Sequence, residues 1–291
     1  MASLESLVPY SAHNIELSNG SRTIPDEDLL LTEQGWLTAT LRTLDIVASR
    51  GEHLRIVDLG CLEGGYSIEF ARQGHEVVGI DARQLNIDRA VAAKENLGLS
   101  NVKFAVDDVK NLADYGQFEV VFCSGLLYHL DDPKSYLELL SRIATRALIL
   151  NTHYARAVDP MYDDGDADDE RVDFSLGELT EHEGLPGRWY PEYSSDDPRS
   201  EVEGRLWAAY SNERSFWPTK PALLAACRNA GFAAIYEQHD FVDNIATDNY
   251  AEVNDRGMFV CIKPPAAGSP QNGVIDRGRS LASSARRRLR I

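Results

Sequence analysis

Between residues 54 and 151, short apolar runs alternate with stretches in which apolar residues recur every three or four positions, the pattern of strands joined by crossover helices in a parallel sheet. Five strands are predicted: LRIVDL (54–59), EVVGID (76–81), VKFAV (102–106), FEVVFC (118–123) and ALILN (147–151). Each is nearly continuous in apolar residues, as befits strands covered on both faces. Helices are predicted at 64–73, stopping at Gly74, at 84–97, and from Pro133 to about Thr145. After Asn151 regularity lapses into a stretch rich in Asp, Glu, Gly, Pro and Tyr that is too long for a structureless loop and predicts an inserted lid. It returns at TKPALLAACRNAGF (219–232), a helix with Thr219 as cap and Gly231 as terminator, followed by strands FAAIYEQ (232–238) and RGMFVCIK (256–263). Upstream, 31–49 reads as an amphipathic helix and 14–23 as a hairpin turning at Asn19-Gly20. The fold class is α/β: a doubly wound, seven-stranded, mostly parallel sheet with an acidic, aromatic-rich insertion after the fifth strand. Residues 51–153 and 219–264 form the sheet domain, 1–50 and 154–218 its substrate-side coverings, and 265–291 a disordered basic tail.

Composition narrows the class. Forty-three per cent apolar and 26% charged residues are ordinary for a globular protein. Cys61, Cys123, Cys227 and Cys261 stand apart with no C-x-x-C pair, which argues against a disulfide framework or zinc site. No basic leader with an apolar core opens the chain, and no apolar run approaches the roughly 18 residues that span a bilayer. A cytoplasmic, membrane-free protein is expected. The net charge of −17 disfavours nucleic acid as a partner. It is uneven: residues 156–205 carry 16 acids against 5 bases, whereas 277–291 carry six arginines and no acid.

The chemistry concentrates in VDLGCLEGGYSIEFA (57–71), a strand ending in a glycine-rich turn that feeds a helix. Gly60 and Gly64 let backbone approach a ligand closely. Asp81 ends the next strand 21 residues after Gly60, where a carboxylate can bind ribose hydroxyls. A dinucleotide would want G-x-G-x-x-G, but Leu62 stands two after Gly60, and Glu63 would oppose a pyrophosphate. These features favour a ribose-bearing cofactor without phosphates.

In these residues, and in FAVDDV and FEVVFCSGLLYHLDDP, the chain resembles the class I S-adenosylmethionine-dependent methyltransferases over about 54–153 and the elements after 219. The resemblance implies a Rossmann-like methyltransferase fold with S-adenosylmethionine as cofactor. Asp58, Gly60, Cys61 and Gly64 would surround the methionine part, Asp81 the ribose, Asp108 and the Val109 amide the adenine, and the backbone near Ser124 the methionine ammonium. Leu62 departs from the middle glycine of many members. The competing reading is that Gly60 and Gly64 serve packing alone.

Methyl transfer to a hydroxyl needs alignment and removal of a proton. His153, just past the fifth strand, is the first candidate base. His129, in GLLYHLDDP, is the second, with the alternative that it bonds a backbone carbonyl and positions the loop. Tyr128, Tyr154, Trp189, Tyr190 and Trp217 are candidate acceptor-binding residues, within an aromatic cluster that includes Tyr193, Trp207, Tyr210 and Phe216 and could equally be a satellite core. No metal ligand is assigned, although the acidic run 161–170 is a candidate Mg2+ site. The expected activity is O-methylation of a small molecule, a sugar or secondary metabolite. The alternatives are a tRNA wobble-uridine methyltransferase and a non-catalytic cofactor-binding partner. Self-association is left open.

Overall fold

The computed structural model describes residues 7–157, 176–240 and 255–265. In chain order its elements are α1 (Gly35–Val47), β1 (Arg55–Leu59), α2 (Gly65–Arg72), β2 (Glu76–Asp81), α3 (Gln84–Leu97), β3 (Val102–Val106), β4 (Phe118–Ser124), α4 (Pro133–Ile143) and β5 (Ala144–His153). There follow β6 (Thr180–His182), β7 (Leu185–Pro191), α5 (Arg199–Gly204), β8 (Arg214–Pro218), α6 (Lys220–Asn229), β9 (Ala234–Gln238) and β10 (Arg256–Ile262). Seven strands form one sheet in the order β3-β2-β1-β4-β5-β10-β9, with only β10 antiparallel to its neighbours. The strand order reverses at β1, which lies between β2 and β4, and this switch point opens a crevice at the carboxyl ends of the strands.

Alternation of side chains along each strand divides the core in two. Val57, Val121 and Leu148 pack on one face with Leu137 and Leu140 of α4 and Leu223 of α6. Ile56, Val120, Phe122 and Ile149 pack on the other with Leu37 and Leu44 of α1 and Phe70 of α2. Sealed on both faces, the sheet holds its strand ends rigidly around the crevice. At roughly 1.5–3 kcal/mol for each fully buried large aliphatic or aromatic side chain, this double core dominates stability.

Three local differences from the expected elements have physical causes. The strand predicted at 147–151 is β5, ten residues long, because Arg146 is neutralised by Glu52 and Glu119 and so is tolerated in the sheet. The predicted 14–23 hairpin is one bridge, Glu16 to Arg22. The insertion folds as an antiparallel sheet, β6-β7-β8, whose alternation is masked by its aromatic and glycine content. That sheet is tied to the segment after β4: Trp217 Nε1 donates to Tyr128 O at 2.7 Å, and the Phe216 amide to Leu130 O at 2.9 Å. The acidic run 161–170 and the arginine tail lie outside the described residues. Among the described residues no helix is long and apolar enough to cross a membrane, and no group of His, Cys, Asp and Glu could hold a metal ion.

Candidate active site

The crevice is a cleft of about 350 Å3. Its floor is the turn after β1. Gly60 (φ 66°) begins the turn, and the amides of Gly60 and Cys61 both donate to Ile80 O, at 2.9 and 3.0 Å. Leu62 takes a left-handed φ of 47° that a glycine would adopt without strain, and its amide donates to Asp81 Oδ2 at 3.0 Å. The departure from the family's glycine is thus absorbed by holding the leucine backbone on the acid that ends β2.

Three carboxylates face this cleft. Asp58 is buried, accepts from Ser67 Oγ at 2.6 Å, and burial pushes its carboxyl up to about 7 despite the hydrogen bonds from Ser67. Asp81 accepts from the Arg83 amide, Asn86 Nδ2 and the Leu62 amide, and burial raises its pKa too. Those three bonds leave about one of a carboxylate's four acceptor positions for a ligand. Asp108 caps a 3-10 turn at Val109–Tyr115 through the Lys110 amide, and both Asp108 and Val109 line the cleft. Asp107 is spent on Asn111 and Tyr115. Cys61 and Ser124 also line the cleft, and burial raises the Cys61 thiol well above its ordinary range, so it offers no thiolate. Gly64 does not line the cleft: a Cβ there would lie 2.7 Å from Phe104 and 2.8 Å from Ala90, so its glycine serves packing of α2. These carboxylate acceptors therefore suit a ligand that carries a diol and a positive charge and no phosphate. S-adenosylmethionine has those features.

The insertion roofs the cleft. Arg83, two residues past Asp81, donates to the carbonyls of Glu203, Arg205 and Ala208 at 3.2, 2.7 and 2.9 Å and lies 5.4 Å from the Tyr210 ring. This holds residues 206–212 over the opening. Trp207, 66% exposed, presents its indole on that rim.

The two histidines part company here. His129, on the one-turn 3-10 helix Leu127–His129 after β4, lines the cleft. Its Nδ1 lies 3.0 and 3.1 Å from the two oxygens of buried Glu192, which also accepts the Ala209 amide. The carbonyl-bonded ring considered from sequence is replaced by a carboxylate-bonded one. His153 does not line the cleft; its ring stacks on Trp217 (5.0 Å, 20°) and meets Tyr128 edge-on (4.7 Å), while Nδ1 lies 3.2 Å from Asp255 Oδ1. The strand end expected to aim it at the acceptor aims it under Tyr128 instead. Tyr128 itself lines the cleft. Tyr190 stacks on Trp217 behind it, Trp189 packs on Phe216 and His182, and Tyr154 is buried against Phe259 in the main core, so none of these four lines the cleft.

Sequence reasoning missed His13, Arg83 and Glu192. Glu63, which had signalled against a pyrophosphate, is wholly buried and accepts the amides of Ser11, Ala12 and His13 and the Arg89 guanidinium. No local motif marks such pairs, which join residues from 26 to 125 positions apart.

Residues 50–190 match the family described as "Methyltransferase domain". This part of the chain belongs to the class I S-adenosylmethionine-dependent methyltransferases. The chain is 30% identical over 100 residues to the ubiquinone biosynthesis O-methyltransferase of Rickettsia bellii, covering 33% of this chain and 40% of that protein. It is 32% identical over 88 residues to the 2-heptyl-1-hydroxyquinolin-4(1H)-one methyltransferase of Mycobacteroides abscessus, covering 30% and 39%. The match therefore spans about two fifths of these relatives' length. Among solved structures, the N-terminal domain of EvdMO1, crystallised in the presence of SAH and D-fucose, is 24% identical with a TM-score of 0.62 over 90% of this chain and 94% of that one, which establishes a shared fold.

Proposed function

We propose that this protein methylates a hydroxyl group of a small molecule, a sugar or another secondary metabolite, with His129 as general base. The observation that carries the proposal is the His129–Glu192 pair on the cleft wall, beneath the roof formed by residues 206–212. S-adenosylmethionine, when bound, supplies an electrophilic methyl group. Asp81 would hold its ribose, Asp108 and Val109 its adenine, and Asp58 and Ser124 its cationic methionine end. The Glu192 carboxylate accepts a hydrogen bond from Nδ1–H, which leaves the Nε2 lone pair for the acceptor hydroxyl. Proton transfer to Nε2 then produces an imidazolium that Glu192 stabilises, as in other carboxylate-oriented histidine bases. Arg83 and Tyr128 confine the acceptor against this nitrogen, and Trp207 offers an apolar platform of the kind a sugar ring or aromatic acceptor stacks on. The names of the curated relatives support oxygen as the receiving atom.

The test is transfer of labelled methyl from S-adenosylmethionine to a panel of methyl glycosides, catechols and hydroxyquinolones, read by mass spectrometry. A methyl ether is expected. Methylation confined to nitrogen or carbon, with hydroxyl acceptors inert, would overturn the proposal.

A further inference from the structure

His13 reaches the cleft from outside the sheet domain and has no part in the chemistry above. Glu63 fixes its backbone by accepting the amides of residues 11, 12 and 13 at 2.6, 2.9 and 3.1 Å. Gly65, the first residue of α2, makes room for its ring: a Cβ there would lie 2.7 Å from His13 Cγ. The Gly65 amide donates to His13 Nδ1 at 3.0 Å. A backbone N–H can only donate, so Nδ1 carries the lone pair and the neutral ring carries its proton on Nε2. Burial lowers the ring's pKa to about 4, which keeps it neutral at ordinary pH. His13 is 8% exposed and lines the cleft, and among the described residues no group accepts from Nε2.

Position along the sheet edge suggests what this donor meets. Asp108 follows β3 and Asp81 ends β2, whereas His13 sits against Tyr66 (5.7 Å), which packs on Phe122 of β4 at 5.1 Å. A ligand with adenine at Asp108 and ribose at Asp81 therefore brings its far end to the β1–β4 side, beside His13. The only anionic group of S-adenosylmethionine is the carboxylate at that end. We infer that His13 binds the cofactor, donating from Nε2–H to the carboxylate of its methionine part; this rests on the reading of the cleft as the cofactor site.

The test compares S-adenosylhomocysteine with 5′-methylthioadenosine, which keeps the adenosine and thioether but lacks the amino acid. The His13→Asn side chain retains an acceptor where Nδ1 lies and removes the distal donor, so the bond to Gly65 survives; thermal melts check that it folds as wild type does. By calorimetry on the full chain, His13→Asn is expected to weaken S-adenosylhomocysteine by about 10- to 100-fold, the range for a hydrogen bond to a charged group, and to leave methylthioadenosine within about twofold. Unchanged S-adenosylhomocysteine affinity, or an equal loss for both ligands, would overturn the role of His13 while leaving the cofactor site intact. A wild-type chain that binds neither ligand would overturn the cofactor reading and the role of His13 with it.

Discussion

Two histidine–carboxylate pairs stand at the carboxyl edge of the same sheet, and they differ in what surrounds them. His129 and Glu192 sit at 3.0 Å with the ring on the cleft wall, while His153 and Asp255 sit at 3.2 Å with the ring stacked on Trp217 and covered by Tyr128. Pairing alone therefore does not identify a base. Access does, because a base must come within hydrogen-bond reach of the proton it removes. The insertion decides which histidine has access: β7 leads directly into Glu192, and β8 contributes the Trp217 that encloses His153.

The largest effect that could break this contrast is in turnover. His129→Ala is expected to lower the rate of transfer about 100- to 10,000-fold while S-adenosylhomocysteine affinity stays within a few-fold. Steady-state kinetics with calorimetry checks both halves. Next in size is Asp81→Ala, which removes the ribose acceptor and the anchor of the Leu62 amide and should weaken S-adenosylhomocysteine by about 10- to 100-fold, measured by calorimetry. A loss in turnover alone would place the ribose elsewhere.

The pH dependence of binding tests Asp58. Its folded-state carboxyl titrates near 7, above the ordinary value, so the folded chain keeps this proton as pH rises where the unfolded chain has already lost it. The stability it contributes is full below about pH 4 and is lost as pH rises toward 7. The ammonium at the ligand's amino-acid end calls for the ionised form. S-adenosylhomocysteine affinity should accordingly fall by up to about tenfold per unit below pH 7, with proton release, and Asp58→Asn should flatten the profile. Calorimetry in buffers of different ionisation enthalpy measures the released protons. The smallest effect is on stability: His153→Ala empties an aromatic stack and should lower stability by about 2 kcal/mol, roughly 4–8 °C in Tm, with the rate per folded molecule nearly unchanged.

What was legible in the sequence follows the range of the interactions. The sheet strands could be read because burial on both faces makes each strand apolar in itself, and Asp58, Gly60, Asp81 and Asp108 could be read because a turn and two strand ends fix their spacing. Glu192 and Arg83 could not. Each works by meeting a partner far along the chain, His129 across 63 residues and the Ala208 carbonyl across 125, and nothing near them in sequence marks the encounter. Gly64 shows the converse, a motif residue whose missing side chain makes room for Phe104 and Ala90. Trp189, Tyr190 and Trp217 read from sequence as candidate acceptor-binding residues, but only the fold shows that Trp217 lies between Tyr190 and His153 and that Trp189 packs on Phe216, while Trp207 is left at the rim.

The central claim, that access rather than pairing makes His129 the base, is tested most directly by the matched substitutions Glu192→Gln and Asp255→Asn, which keep shape and remove one charge each. Single-turnover transfer to a hydroxyl acceptor at saturating S-adenosylmethionine should slow by about 10- to 1,000-fold in Glu192→Gln, because His129 loses the partner that orients and stabilises it, and should change less than about threefold in Asp255→Asn. The reverse order, or a Glu192→Gln protein that folds normally and transfers at the wild-type rate, would contradict the account.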